Sequence, residues 1–232
     1  MSGAKARRTS KRAQLDRESI VSAAIDLAAA GEAITFRSLG TALGADPTAV
    51  YRHFRDKEEL MQVVVDRLIL RSQEEIDPEA PWRNQLYDGA VRTIDVFAEH
   101  PHVGVDSSTI ATGGPGELSA INWILTQLER AGLGKEEAVR FYAAYSSYVL
   151  AAAAALSRQR LRGEDNTHWV GDLRAVDAAR LPALSAVIPE LVSLSDRDVF
   201  LTGVEVFLDS VEAVAQRGPI AKPGAGAKRS RR

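Results

Sequence analysis

The sequence predicts an all-α protein, and three observations carry that prediction. Apolar residues recur at intervals of three and four along most of the chain, as on one face of a helix. Gly, Pro and Asp stand where these runs begin and end, in positions typical of helix caps. We find no run of alternating polar and apolar residues that would indicate a β-strand, and no internal repeat.

The N-terminal part of the chain predicts two helices in succession. An apolar stripe over Arg17–Ala30 indicates the first, and Gly31 ends it. Thr35 is expected to cap the second helix, which Gly44 terminates. The second helix carries two leucines four residues apart, so one of its faces is apolar.

Two further helix starts follow at aspartates. Asp46 caps a third helix, with Pro47 at the first helical position, where its missing N–H has no cost. Asp56 caps a fourth, and Glu59 completes the Asp variant of a capping box. The fourth helix is expected to run to about Gln73.

The Pro-containing segment 77–81 predicts a break, and a larger helical unit follows it. In that unit, helices are predicted at Trp82–His100, Glu117–Ala131, Lys135–Leu161 and Arg197–Arg217, with an irregular segment or short helix at Pro101–Pro115 and a short Pro-containing helix or turn at Leu181–Leu194.

The charge distribution is uneven although the net charge is only −2. Residues 1–12 and 218–232 each hold five basic residues and no acid, which leaves 19 basic against 31 acidic residues between them. The middle therefore carries about −12 by this count. Basic ends on an acidic body are found in nucleic-acid-binding proteins, and also as disordered solubilising tails.

The composition excludes several classes of protein. Without cysteine, the chain has no disulfide, no Cys-type zinc site and no thiol nucleophile, which suits a reducing cytoplasm. No apolar run is long enough to span a membrane, and no secretory h-region follows the basic start, so no membrane partner is expected. No nucleophile motif is present, so we expect no catalytic residues and no enzyme. No cofactor or metal site is expected either.

The segment 35–60 has the pattern of a helix-turn-helix. Leu39, Leu43, Val50 and Phe54 supply the apolar wedge that such a unit requires between its helices. The polar or small residues left for the exposed face of the second short helix are Thr48, Ala49, Tyr51, Arg52 and His53.

These side chains suit a DNA groove. Thr48 and Ala49 are placed to touch base edges, and Tyr51 and His53 suit phosphate contacts. Arg52 is equally suited to guanine and to phosphate. Three more residues stand at helix starts, where phosphates bind: Thr35, Arg37 and Lys57.

The chain resembles the TetR family of transcriptional repressors in two places. The first is specific, and it consists of Ile34–Gly40, Leu43-Gly44, Val50–Phe54 and Lys57–Leu60. The second is looser and resembles the tetracycline-repressor type of C-terminal domain; it consists of Leu181–Leu184, Phe200–Leu208 and Val211-Glu212. Gly40 departs from the family, which usually has Ala there.

The resemblance implies an all-α homodimer that binds a double-stranded DNA operator and a small-molecule effector. It implies a DNA-binding domain over 13–60 and a ligand-binding and dimerisation domain over 61–217, while the charge distribution predicts a basic disordered arm over 1–12 and a basic disordered tail over 218–232. Residues 61–76 would form the connecting helix. By motif position, it assigns DNA contact to Thr35, Arg37, Thr48, Ala49, Tyr51, Arg52, His53 and Lys57.

Aromatic residues of the larger unit predict a ligand pocket, because many small-molecule sites have aromatic walls with few polar groups. The candidates are Phe97, His100, Trp123, Phe141, Tyr145 and Tyr148. The pair His100 and His102 is a weak pattern for a metal, and no metal site is assigned to it. The dimer contacts are expected on the Ala-rich helix that ends near Leu156 and on the last helix.

The sequence thus predicts a ligand-responsive transcriptional repressor that binds palindromic operator DNA as a homodimer and is released by a small molecule. The alternative is an all-α small-molecule-binding protein that binds no operator.

Overall fold

The computed structural model describes residues 15–163, 173 and 176–217. These residues form ten helices and no strand, which confirms the all-α prediction. In chain order the helices are α1 (Arg17–Ala29), α2 (Phe36–Leu43), α3 (Pro47–Val50), α4 (Lys57–Arg71), α5 (Trp82–Glu99), α6 (Pro101–Gly104), α7 (Pro115–Arg130), α8 (Lys135–Arg162), α9 (Pro182–Ser193) and α10 (Asp196–Arg217). The two basic ends, 1–12 and 218–232, lie outside the described residues.

The first four helices begin at polar N-caps, three of which the sequence predicts: Thr35, Asp46 and Asp56; the cap of α1 is Asp16. The Thr35 hydroxyl oxygen accepts a hydrogen bond from the Ser38 amide, and the Ser38 hydroxyl oxygen accepts one from the Thr35 amide, which makes a complete capping box. Asp56 likewise caps α4 through the Glu59 amide at 2.8 Å. The predicted second half of that box is wrong, because the Glu59 carboxylate accepts from the amide of Arg55 instead.

The first three helices enclose a small apolar core under α4. Leu39, Val50 and Phe54 are fully buried there, together with Ile20 on α1. Leu43 is only half-buried, so it contributes less to the wedge than the sequence predicts. The left-handed conformation of Gly44, at a φ of 60°, turns the chain sharply from α2 towards α3.

The larger unit is built around α8, which packs on α5, α6 and α7, while α10 packs on α5 and α8. α4 joins it through a broad contact with α7. α7 begins at Pro115, two residues earlier than predicted, because Pro fits the first helical position after Gly114. The segment predicted as irregular or a short helix, Pro101–Pro115, begins with the short helix Pro101–Gly104.

Candidate DNA-binding face and ligand cavity

The side chains of α3 and of the turn that follows it fall into two sets, one buried and one exposed. Val50 and Phe54 are fully buried, whereas Thr48 and Arg52 are exposed and Tyr51 keeps 60% of its surface accessible. A phenol, a guanidinium and a hydroxyl therefore stand together on one solvent-facing surface. Ala49 and His53 flank this surface and are half-buried.

The start of α3 is fixed by Asp46. Its carboxylate accepts hydrogen bonds from the Thr48 amide at 2.8 Å and from the Thr48 hydroxyl at 2.6 Å. These bonds lower the pKa of Asp46. Because the hydroxyl proton points to Asp46, Thr48 presents an acceptor oxygen and a methyl group to the outside.

Tyr51 is held by an aromatic contact with the start of α2. Its ring meets that of Phe36 edge to face, with centroids 4.5 Å apart and an interplanar angle of 76°. The contact orients the phenol while its hydroxyl stays accessible. It also ties the exposed end of α3 to α2.

Arg17, which the sequence analysis did not select, anchors the chain after α3. Its guanidinium lies 4.1 Å from the centre of the Phe54 ring, donates to the carbonyl oxygen of His53 and pairs with Glu59 at 2.9 Å. One side chain of α1 thus holds the junction of α3 and α4. No local pattern signals this role, because its partners lie 36 to 42 residues further along the chain.

Gly40 permits the close approach of α2 and α3. A Cβ atom at this position would lie 2.9 Å from the carbonyl oxygen of Ala45 and 3.2 Å from the Cδ atom of Pro47. The Ala45 amide also donates to the Gly40 carbonyl at 2.9 Å. The glycine, where the family usually has Ala, therefore allows the tight turn between α2 and α3.

Three cations border the exposed surface of α3: Arg37, Arg52 and Lys57. None of the three forms an ion pair with any other described residue, and all three are exposed. Thr35 is exposed too, although its hydroxyl oxygen serves as the cap of α2. The eight residues assigned to DNA contact lie on α2, α3, the turn after α3 and the start of α4.

A cavity of about 100 Å³ lies in the larger unit, between the end of α4 and helices α5, α7 and α8. Its wall is mostly aliphatic and aromatic. The polar side chains in the wall are Ser72, Gln73, Thr93, Glu117, Trp123, Tyr142, Tyr145 and Ser146. The outer edge of the Trp123 ring packs against Gly89, where a Cβ atom would meet it at 2.4 Å, and the indole N–H donates to Gln85 at 3.2 Å.

Two of the six residues predicted for the pocket line this cavity: Trp123 and Tyr145. The Tyr145 hydroxyl is buried and donates to the carbonyl oxygen of Leu86, and burial raises its pKa.

The other four predicted pocket residues lie outside it. Phe97 is fully buried core, and the Nδ1 atom of buried His100 lies 2.7 Å from the Val96 carbonyl oxygen. Phe141 packs on Phe207, and Tyr148 stacks on Phe200. Phe141, Tyr145 and Tyr148 of α8 all contact aromatic rings of α10, and Tyr142 and Tyr145 line the cavity; periodicity alone does not separate these roles.

A buried carboxylate joins this cavity to α4. Asp66 accepts hydrogen bonds at 2.9 Å from the amides of Gly116 and Glu117, and at 2.8 Å from the hydroxyl of Thr112. It thereby caps α7 from another helix. Glu117 in turn accepts from the amides of Thr112 and Gly113, both at 2.7 Å, and lines the cavity.

A second contact joins the larger unit, at α6, to the end of α1. The Nε2 atom of His102 lies 3.0 Å from the carbonyl oxygen of Gly31, at the end of α1. Within the described residues, no three His, Asp or Glu side chains are grouped as ligands of a metal ion. None of the described helices combines the length and the apolar character needed to cross a membrane.

The chain was compared with known proteins. Residues 76–215 match the model of the tetracyclin repressor-like C-terminal domain. An HTH-type transcriptional regulator of Saccharopolyspora erythraea is 27% identical over 179 residues, which are 75% of each chain. The HTH-type transcriptional repressor DrrR1 of Streptomyces coeruleorubidus is 29% identical over 222 residues, which are 88% of this chain and 79% of DrrR1.

Among solved structures, apo ActR of Streptomyces coelicolor superposes with a TM-score of 0.77 at 21% identity, over 88% of this chain and 98% of ActR. ActR in complex with actinorhodin superposes with a TM-score of 0.75 at 23% identity, over 88% of this chain and 99% of ActR. This similarity shows a shared fold. Since the domain model covers more than half of the chain, the chain belongs to the TetR family of transcriptional repressors.

Proposed function

We propose that this repressor acts in the cytoplasm as a homodimer, binds a palindromic DNA operator, and is released from it by a small molecule bound in the larger unit. The observation that carries the proposal is the exposed surface of α3. The DNA-binding domain would span 13–60 and the ligand-binding and dimerisation domain 61–217, with residues 61–76 as the connecting helix.

The chemistry of the α3 surface supports a role in the major groove. An acceptor oxygen and a methyl group at Thr48 match base edges, and the unpaired cations match phosphates. The eight proposed contacts are Thr35, Arg37, Thr48, Ala49, Tyr51, Arg52, His53 and Lys57. A four-residue helix reaches only a few base pairs, so two copies about 34 Å apart would be needed to recognise an operator.

Exposed apolar side chains on α8 and α10 support the dimer. Val199 and Val206 of α10 keep 53% and 60% of their surfaces accessible, and Tyr148 on α8 keeps 36%. Tyr148 and Val199 line one groove with the alanines Ala151 and Ala155, whose short side chains allow close helix approach. Such patches on a chain of this size are typical of interfaces between subunits.

The cavity supports a small-molecule effector. Its volume of about 100 Å³ is smaller than the roughly 300–1,000 Å³ of sites for drug-sized ligands. A ligand larger than the cavity would therefore stabilise a wider arrangement of α4, α5, α7 and α8. Because α4 also begins at the proposed DNA-binding face, operator DNA and the small molecule would favour different conformations of this one helix.

The test is a mobility shift with the DNA that flanks the protein's own gene. Arg52→Ala and Tyr51→Ala should each weaken binding by roughly tenfold, since each removes a contact worth about 1–3 kcal/mol. The matched control is Arg140→Ala, because Arg140 is exposed on α8 and has no ion pair among the described residues. The helical circular dichroism spectrum should be unchanged in all three variants.

Sedimentation of the same samples tests the assembly. A dimer at micromolar concentration is expected, and a monomer would contradict the proposed operator recognition. If the wild-type protein binds none of the flanking DNA even at low salt, the alternative of a small-molecule-binding protein without an operator is favoured.

A further inference from the structure

The polar groups of the cavity wall fall into two sets. Most are already used within the protein: Ser72 donates to the Ile69 carbonyl, Thr93 to the Gly89 carbonyl and Tyr145 to the Leu86 carbonyl. The hydroxyls of Tyr142 and Ser146 have no hydrogen-bond partner among the described residues. They lie four residues apart on α8, so they share one face of that helix.

Glu117 is the one carboxylate in the described wall, and no Lys, Arg or His lines the cavity beside it. Its Oε2 atom accepts hydrogen bonds from the amides of Thr112 and Gly113, both at 2.7 Å, and lies 2.9 Å from the hydroxyl oxygen of Thr112. No described donor reaches its Oε1 atom. The carboxylate is therefore held in place, with one oxygen free to accept.

A second carboxylate increases the negative potential at this end of the cavity. Asp66 accepts from the Glu117 amide at 2.9 Å, so the two acidic groups stand on either side of one peptide segment. A bound anion would be repelled by both and would find no cation in the described wall to offset the loss of its hydration. A cation or a hydrogen-bond donor would be attracted.

We propose that the effector has a compact apolar body and a cationic or hydrogen-bond-donating group that binds the free oxygen of Glu117. The hydroxyls of Tyr142 and Ser146 would take a second polar group. The apolar body would lie against the aliphatic wall and the indole of Trp123. This inference rests on the proposed function, because it takes the cavity to be the effector site.

Three probes with the same ring and different charge test the chemical class: benzylammonium, benzyl alcohol and benzoate. Their binding to the full-length protein is measured by titration calorimetry at neutral pH. Benzylammonium should bind at least about tenfold more tightly than benzoate, with benzyl alcohol between them, because the negative potential at Glu117 attracts the ammonium group and repels the carboxylate.

Glu117→Gln should remove most of that preference. Glu129→Gln is the matched control, since Glu129 is exposed on the same helix and the change in net charge is identical. The control should keep the wild-type order. The melting temperature of each variant is measured first, because Glu117 also holds residues 112 and 113.

Benzoate binding as tightly as benzylammonium would overturn the inference, and this result needs no variant. A preference that persists in Glu117→Gln, or the absence of saturable binding for all three probes, would also overturn it. Calorimetry uses no DNA. If the probes do not bind in the expected order but operator binding is intact, only the proposed effector class is rejected. Loss of operator binding with the expected probe order would instead reject the repressor mechanism.

Discussion

At the scale of single residues, the absence of a side chain at Gly40 allows the close packing of α2 against the turn before α3. Helix propensity favours Ala over Gly at this position in α2 by about 1 kcal/mol. The backbone of Ala45 and Pro47 lies so close that a methyl group would contact it at 2.9 Å. Backbone atoms at this turn have little freedom to yield, since Asp46 and Gly44 fix both sides of it. Crowding should therefore exceed the gain in propensity.

We accordingly predict that Gly40→Ala lowers the free energy of unfolding by roughly 1–2 kcal/mol, as overpacked sites commonly do. It should also weaken operator binding, because α3 would be displaced from α2. Urea denaturation and the mobility shift described above measure the two effects. An unchanged or raised unfolding midpoint would show that the turn relaxes freely and that Gly40 is not required by packing.

At the scale of secondary-structure elements, the contact between α4 and α7 is organised by Asp66. Its carboxylate takes the place of a local N-cap, while the glycines at 114 and 116 leave room for it: a Cβ atom at either would lie 2.2–2.4 Å from Asp66 atoms. The same α4 begins at Lys57 beside the DNA-binding face. Under the proposed function, movement of α7 around a ligand would therefore be transmitted to this helix.

We predict that Asp66→Asn lowers the free energy of unfolding by about 1.5–3 kcal/mol, the value of hydrogen bonds to a charged acceptor. The amide would also turn an N–H group towards other N–H groups. Urea denaturation measures the change. Asp26→Asn is the control, because Asp26 is exposed on α1 and its side chain has no partner among the described residues; it should change the free energy by less than about 0.5 kcal/mol. Equal effects in the two variants would contradict the capping role.

At the scale of the whole molecule, acid sensitivity is concentrated in the N-terminal helices. Hydrogen bonds to the backbone or side chains at helix starts lower the pKa values of Asp16, Asp46 and Asp56 below 3.8. A lowered pKa in the folded state contributes stability that is fully present above the unfolded value and is lost as the pH falls through the folded one. All three carboxylates are solvent-accessible, so screening limits each contribution.

We predict that α1, α3 and α4 lose stability as the pH falls below about 3.8, because protonation removes the caps at their starts. Amide exchange followed by nuclear magnetic resonance resolves the helices individually. Asp56→Asn should make α4 less dependent on pH in this range. The prediction would be contradicted if the amide exchange rates of these three helices showed no effect of the loss of their caps over this pH range.

Local sequence determined much of this protein. The period of apolar residues and the Asp, Thr, Gly and Pro caps predicted the helices to within a few residues, because these features act over one or two turns of chain. The same patterns predicted which side chains of α3 are buried, since Val50 and Phe54 lie on one face. The family motif is local as well, and it was recognised for that reason.

Only the tertiary structure decided which residues form the cavity and how it is joined to α4. Tyr145 lines the cavity and also contacts Phe207 of α10, while Tyr148, one turn away, stacks on Phe200 outside the cavity, and the order of residues along α8 does not distinguish the two. Arg17 and Asp66 act on partners roughly 40 to 50 residues distant. Such contacts depend on how whole helices pack against one another, so no local pattern in the sequence contains them.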